Sequence, residues 1–175
     1  MALNKAQMEI LSKLSKDELL DFIDMLQKNF WNLQNNYILY INTEFGEEAA
    51  VKADAHCFPA NARVQMYRLK KMFGLKDDID SLMKAMILST IWANSDYEIW
   101  KIDEKRFRIK ATNCYQQVRR LEDGMGEFGC KPAGLAICEA ASEVINPAFN
   151  VKCIVCPPDE HPNDVWCEWE FELTS

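Results

Sequence analysis

The residues best suited to chemistry sit near the C-terminal end, in Cys153-Ile-Val-Cys156-Pro-Pro-Asp-Glu-His161-Pro-Asn-Asp-Val-Trp-Cys167. Thiolates and imidazole are soft ligands, and two cysteines with two residues between them let both sulfurs reach one ion from a turn. Cys130 and Cys167 would complete a four-sulfur site with Cys153 and Cys156, for zinc or an iron–sulfur cluster. His161 could replace one sulfur. Geometry stands against a self-contained knuckle. Alternation along a strand puts Cys153 and Cys156 on opposite faces unless the strand ends or bulges between them. Buried free cysteines also serve as small hydrophobes, so a packed thiol core is the competing reading.

Cys130 is the candidate reactive thiol and the one catalytic residue the sequence offers. It directly precedes Lys131-Pro132, where proline fits the first turn of a helix. The positive helix end and the lysine would both favour a thiolate there. A nucleophile needs a base within hydrogen-bonding reach, and His56 and His161 are the two imidazoles available. Cys114 and Arg119 stand upstream of a glycine-rich stretch, and a guanidinium there could clamp a carboxylate. Cys114, Arg119, His161 and Cys167 are therefore the expected ligand contacts. Arg120 reads as a solvated strand end, and His56 as a helix-end packing residue.

The elements that must position these groups change character midway. Ser15-Lys-Asp-Glu18 has capping-box spacing. Leu19, Ile23, Leu26, Phe30, Leu33, Tyr37 and Ile41 then follow at steps of three and four, one stripe of a long helix closed near Gly46. A second helical region runs from Glu47 toward His56 and resumes after Pro59, ending at Gly74. A third is capped by Asp77 or Asp78 and buries Ile79, Leu82, Met83, Met86 and Ile87. After Thr90 the period falls to two: a hairpin of 97–102 and 106–111, a glycine-rich turn, a helix of 131–145, and strands of 149–156 and 165–173. The expected fold is α+β: a helical N-terminal half, then a four-stranded antiparallel sheet with one crossing helix, ββαββ. The chain is expected to form one domain over 1–175, with a helical part at 1–90 and a cysteine-bearing part at 91–175.

Composition narrows the partners. A net charge of -7 gives no basic surface for phosphates, so nucleic acid is not expected. The first twenty residues carry Lys5, Glu9, Lys13, Lys16 and Asp17, which no apolar signal core tolerates, and no apolar run is long enough to span a bilayer. The expected location is the cytoplasm. Thiols stay reduced there, so seven cysteines read as ligands, nucleophiles or packing rather than disulfides.

Thr112-Asn-Cys114-Tyr-Gln-Gln-Val-Arg119, Gly126-Glu-Phe-Gly-Cys130-Lys-Pro132 and Cys153-x2-Cys156-Pro-Pro-Asp159-x-His161-Pro-x4-Cys167-x-Trp169 resemble an uncharacterised prokaryotic family of "cytosolic proteins" over nearly the whole chain. More distantly, the helical front and cysteine-bearing sheet resemble L-2-amino-thiazoline-4-carboxylic acid hydrolases and the small-molecule-binding 4-vinyl reductase domains. The hydrolase likeness would point to Cys130 and Cys167.

Three readings follow. The first is a small-molecule-binding protein with a cysteine-lined, metal-binding or metal-free site. The second is a thiol- or metal-dependent hydrolase of a small cyclic amide or thiazoline-like compound. The third is a structural homodimer built on the long Leu19–Ile41 helix around a cysteine-rich core. The sequence does not decide whether the protein is an enzyme.

Overall fold

The computed structural model describes residues 3–174. Helix α1, Lys5–Leu11, is capped by Asn4 and was not legible in the sequence. Helix α2, Lys16–Phe45, starts on the expected box: Ser15 N–H donates to Glu18 Oε2 at 2.7 Å and Glu18 N–H to Ser15 Oγ at 3.2 Å. It ends at Gly46, whose φ of 87° suits glycine. Its inward face is rotated from the expected stripe. Phe30, Trp31, Gln34 and Ile38 turn inward, whereas Ile23, Leu26, Leu33 and Tyr37 stay exposed.

Helix α3, Glu47–Phe73, is continuous through Pro59, against the expected break. Proline cannot donate one helix hydrogen bond. Ala50, Asp54, Phe58, Ala62 and Met66 form one buried stripe on both sides of it, and that packing carries the helix across. His56 is therefore exposed in mid-helix rather than packed at an end. Gly74, left-handed at φ 61°, closes α3. Helix α4, Ile79–Leu88, is capped by Asp78, whose Oδ1 accepts from Ser81 N–H at 2.8 Å, and Ile87 is exposed rather than buried.

Strands β1 (Ser95–Lys101) and β2 (Arg106–Cys114) form the expected hairpin. Helices α5 (Tyr115–Glu122) and α6 (Lys131–Ile145) follow, then β3 (Phe149–Val155) and β4 (Cys167–Leu173). The second half thus carries two helices, not one. Helix α5 escaped notice because its buried residues are polar: Gln117 trades two hydrogen bonds with the backbone of Phe128, at 2.8 and 2.9 Å, and Arg120 donates to Gly126 C=O. Arg120 is thus buried, not a solvated strand end. It lies over the Phe128 ring at 5.0 Å.

The sheet is antiparallel throughout, in the order β1-β2-β4-β3. Period-two alternation gives it two unlike faces. Phe107, Ile109, Ala111, Trp169 and Phe171 point into the core under α6 and α4. The other face is a charge ladder in which Arg106, Arg108 and Lys110 stand opposite Glu172, Glu170 and Glu168. Arg108 bonds both Glu168 and Glu170, at 2.8 and 2.7 Å, so opposite charges favour the same register as the apolar face.

Gly134 seats α6 on the sheet. A Cβ at this position would lie 2.7 Å from Cζ2 of Trp169, a ring with no free end to move aside. Gly134→Ala should destabilise the fold by about 1–3 kcal/mol, although alanine is the better helix former. Equilibrium urea unfolding checks this: a stability equal to or above wild type would remove the close approach as a constraint.

Candidate functional site

The thiols converge from three elements. Cys130 lies just before α6, Cys156 just past the end of β3, and Cys167 begins β4. The register of β3 on β4 shifts between Cys153 and Val155, the irregularity that Cys153-x2-Cys156 required. Cys130 Sγ and Cys156 Sγ are 3.6 Å apart, in van der Waals contact, and Gln117 Nε2 donates to Cys130 Sγ at 3.5 Å. The loop is pinned across the gap by Lys131 N–H to Pro157 C=O at 3.0 Å, and by Lys131 Nζ to Asp159 at 2.7 Å.

Their acidities are not alike. Hydrogen bonds to Cys130 and Cys167, with burial, push the Cys156 thiol up. The Cys167 thiol goes the other way: the Cys156 hydrogen bond lowers it, burial opposes, and the Trp169 side chain, Ala111 backbone and His161 add to the lowering. Burial pushes Cys114, at the end of β2, up to about 12, and also raises Cys138 and Cys153. The thiol whose charged form the surroundings favour is therefore Cys167.

The other expected residues are scattered around this cluster. The His161 ring is tilted by 45° against Trp166 with centroids 5.2 Å apart, its Nδ1 is 3.0 Å from Pro162 O, and its Nε2 is 3.4 Å from Glu127. Burial alone would pull its pKa down, but the Pro162 carbonyl and Glu127 carboxylate outweigh that and raise it. Arg119 faces outward, bonded to Asp123 at 3.0 Å. Among the described residues, no three Cys, His, Asp or Glu side chains are grouped to hold one metal ion.

A second site was not anticipated. A cleft of about 350 Å³ opens between α2 and α3, walled by Phe30, Leu33, Tyr37, Ile38, Ile41, Ala53, Cys57 and Phe58. Three polar residues line it: Gln34, Asp54 and Asn61. Asp54 is 9% exposed and accepts from Gln34 Nε2 at 2.8 Å. Gln34 Oε1 and Asn61 Nδ2 are buried with no hydrogen-bond partner, and no cation is paired with Asp54 among the described residues. Burial raises the Asp54 pKa, and the Gln34 hydrogen bond opposes this without cancelling it. The legible signal was a carboxylate in a stripe of Ala50, Phe58 and Ala62. The apparent break at Pro59 concealed it.

Fold and site together define an α+β domain with a helical front, a thiol cluster at one end of its sheet, and an apolar cleft with a polar floor between its longest helices. Residues 12–173 match the profile of a family of unknown function, DUF6125, and the chain belongs to that family. The expected likeness to an uncharacterised family is met at that level. No curated protein matches the chain. Among solved structures, the chain is similar to a trafficking protein particle complex subunit 3 from Naegleria fowleri, covalently bound to palmitic acid. That likeness has a TM-score of 0.48 and 10% identity over 87% of this chain and 95% of that one. Neither the thiazoline hydrolases nor the 4-vinyl reductase domains are among these matches. No helix of the described residues is long and apolar enough to cross a membrane.

Asp54 gives a pH test. A carboxyl whose folded pKa is raised binds more protons folded than unfolded, so stability falls as pH rises from its ordinary value near 3.9 through the raised one. Asn keeps the bond from Gln34 and removes the charge. Asp54→Asn should therefore melt above wild type at neutral pH, with the gap closing as pH falls below about 4, where both states become protonated. Thermal unfolding across that range decides it: a variant no more stable than wild type at pH 7 would mean that Asp54 has a compensating partner.

Proposed function

We propose that this protein binds a compact apolar amine in the cleft between α2 and α3. One observation carries the reading: a buried carboxylate with no paired cation among the described residues, in a cleft whose walls are mostly apolar. Burying an unpaired charge is costly, and proteins otherwise pair such groups. An ammonium head would supply the missing charge and donate to Asp54 and to the unpartnered Gln34 Oε1. Phe30, Tyr37 and Phe58 present aromatic rings to the same space, and ring faces attract cations. The apolar body would cover Leu33, Ile38 and Ile41. The volume lies at the small end of the usual range for ligand sites, ~300–1,000 Å³. Asn61 Nδ2 is a donor and favours an acceptor next to the amine, such as a hydroxyl or amide.

In this reading the ligand sits apart from the Cys130–Cys156–Cys167 cluster, and Cys57 is the cysteine in the cleft wall. The exposed apolar residues along α2, among them Leu20, Ile23, Leu33, Tyr37 and Tyr40, support a second use of the same face, by another copy of the chain.

Calorimetric titration with 2-phenylethylamine, against 2-phenylethanol of the same shape, separates these. The amine should bind with Kd below about 1 mM, about −4 kcal/mol, and the alcohol at least about tenfold more weakly. Asp54→Asn should remove that preference. Equal binding of amine and alcohol would overturn the proposal. So would a dimer, seen by sedimentation, that closes the cleft and excludes both.

A further inference from the structure

The thiol cluster is arranged for a reaction that the cleft does not involve. Cys130 and Cys156 sulfurs already touch at 3.6 Å. A disulfide needs them at ~2.05 Å, so each would move by less than about 1 Å. The backbone does not oppose the closure. The residue after each cysteine is already bonded to the other, Lys131 N–H to Pro157 C=O, and the Lys131–Asp159 ion pair ties the two segments a second time.

The two sulfurs also differ in access. Cys130 is half-buried, between Gly129 and Pro132, which border a shallow basin on the protein surface. Cys156 is 1% exposed. A soluble reagent therefore meets Cys130 first and finds Cys156 behind it. Lys131, next to Cys130, is held at 2.7 Å from Asp159 on the loop that follows Cys156. One thiol is open and one is covered.

We propose that Cys130 and Cys156 form a dithiol that reduces small organic disulfides. The Cys130 thiolate attacks one sulfur of R–S–S–R. The S–S bond breaks, a Cys130–S–S–R bond forms, and RS⁻ leaves and takes up a proton. Cys156 then loses its proton to water and attacks the Cys130 sulfur. The second RS⁻ leaves and takes up a proton. Two cysteine thiols are oxidised to one disulfide, and one small disulfide is reduced to two RSH. Regeneration requires an external thiol of the same chemical class.

The test uses the full chain, purified without oxygen, with 2-hydroxyethyl disulfide as the probe. Acid-quenched intact mass should show the loss of two hydrogens, thiol titration should fall from seven to five, and peptide mapping should join Cys130 to Cys156. This reading uses wild type and does not depend on a variant folding. In Cys156→Ser the reaction should stop at a 2-hydroxyethylthiol adduct on Cys130. Labelling of the exposed Cys57 alone, or an adduct on Cys130 that wild type never resolves, would overturn the proposal. So would about one equivalent of zinc or iron in the anaerobic protein that shields these thiols, since the cluster would then be a metal centre.

Discussion

The packing of α6 on the indole of Trp169 is the constraint on which the rest of the structure depends. Trp169 lies on β4, between β2 and β3, and is 1% exposed. The helix can sit this low because residue 134 has no side chain. From that seat, Ala133, Ile137, Cys138, Ala141 and Ile145 reach the core, and small residues along the helix let α3 approach closely. Helix α3 in turn carries Phe58, Ala62 and Met66 against the core, with Asp54 one turn before them. The same seat fixes the start of α6, and with it Cys130, beside the end of β3. Both candidate sites thus inherit their geometry from one helix-on-sheet contact.

The thiol cluster shows why a count of sulfurs does not define a metal site. Four tetrahedral ligands must converge on a point, whereas the contact seen here is a pair, Cys130 Sγ to Cys156 Sγ at 3.6 Å. The neighbouring thiols differ in acidity instead: that of Cys156 is pushed up and that of Cys167 is drawn down. The thiol at a helix start, Cys130, is the one expected to be activated by the helix end. Yet it caps nothing with its side chain, and the thiol drawn down is Cys167, by Cys156 first and, against burial, by Trp169, the Ala111 backbone and His161.

What could be read from the sequence was what periodicity encodes. The capping box at Ser15, the left-handed glycine at 74, the hairpin and the alternation of β4 each rest on local rules, and each is present. What could not be read was local structure held by tertiary packing. Pro59 is carried through α3 by the stripe around it, and α5 is held by Gln117 and Arg120, whose partners lie in the loop that follows. The convergence of Cys130 with Cys156 and Cys167 was foreseeable once all three fell at element ends. The cleft was not, because its floor combines α2 and α3 positions that only the rotation of α2 brings together.

The two sites meet in a small satellite core. Ile38, Ala50 and Phe128 form a buried cluster apart from the main one, with Ile41, Ala53 and Cys130 packed against it. Ile38, Ile41 and Ala53 are also walls of the cleft, and Cys130 is the open member of the thiol pair. Cys130 packs on the main core as well, so it is the residue both clusters share. Closing a bond to Cys156 would shift the Cys130 sulfur by less than about 1 Å, and filling the cleft would bear on Ile38, Ile41 and Ala53. Close-packed groups do not deform independently. Any coupling between thiol state and ligand must therefore pass through these few side chains, and linkage makes it reciprocal: whatever factor oxidation applies to ligand affinity, the ligand applies to the disulfide equilibrium.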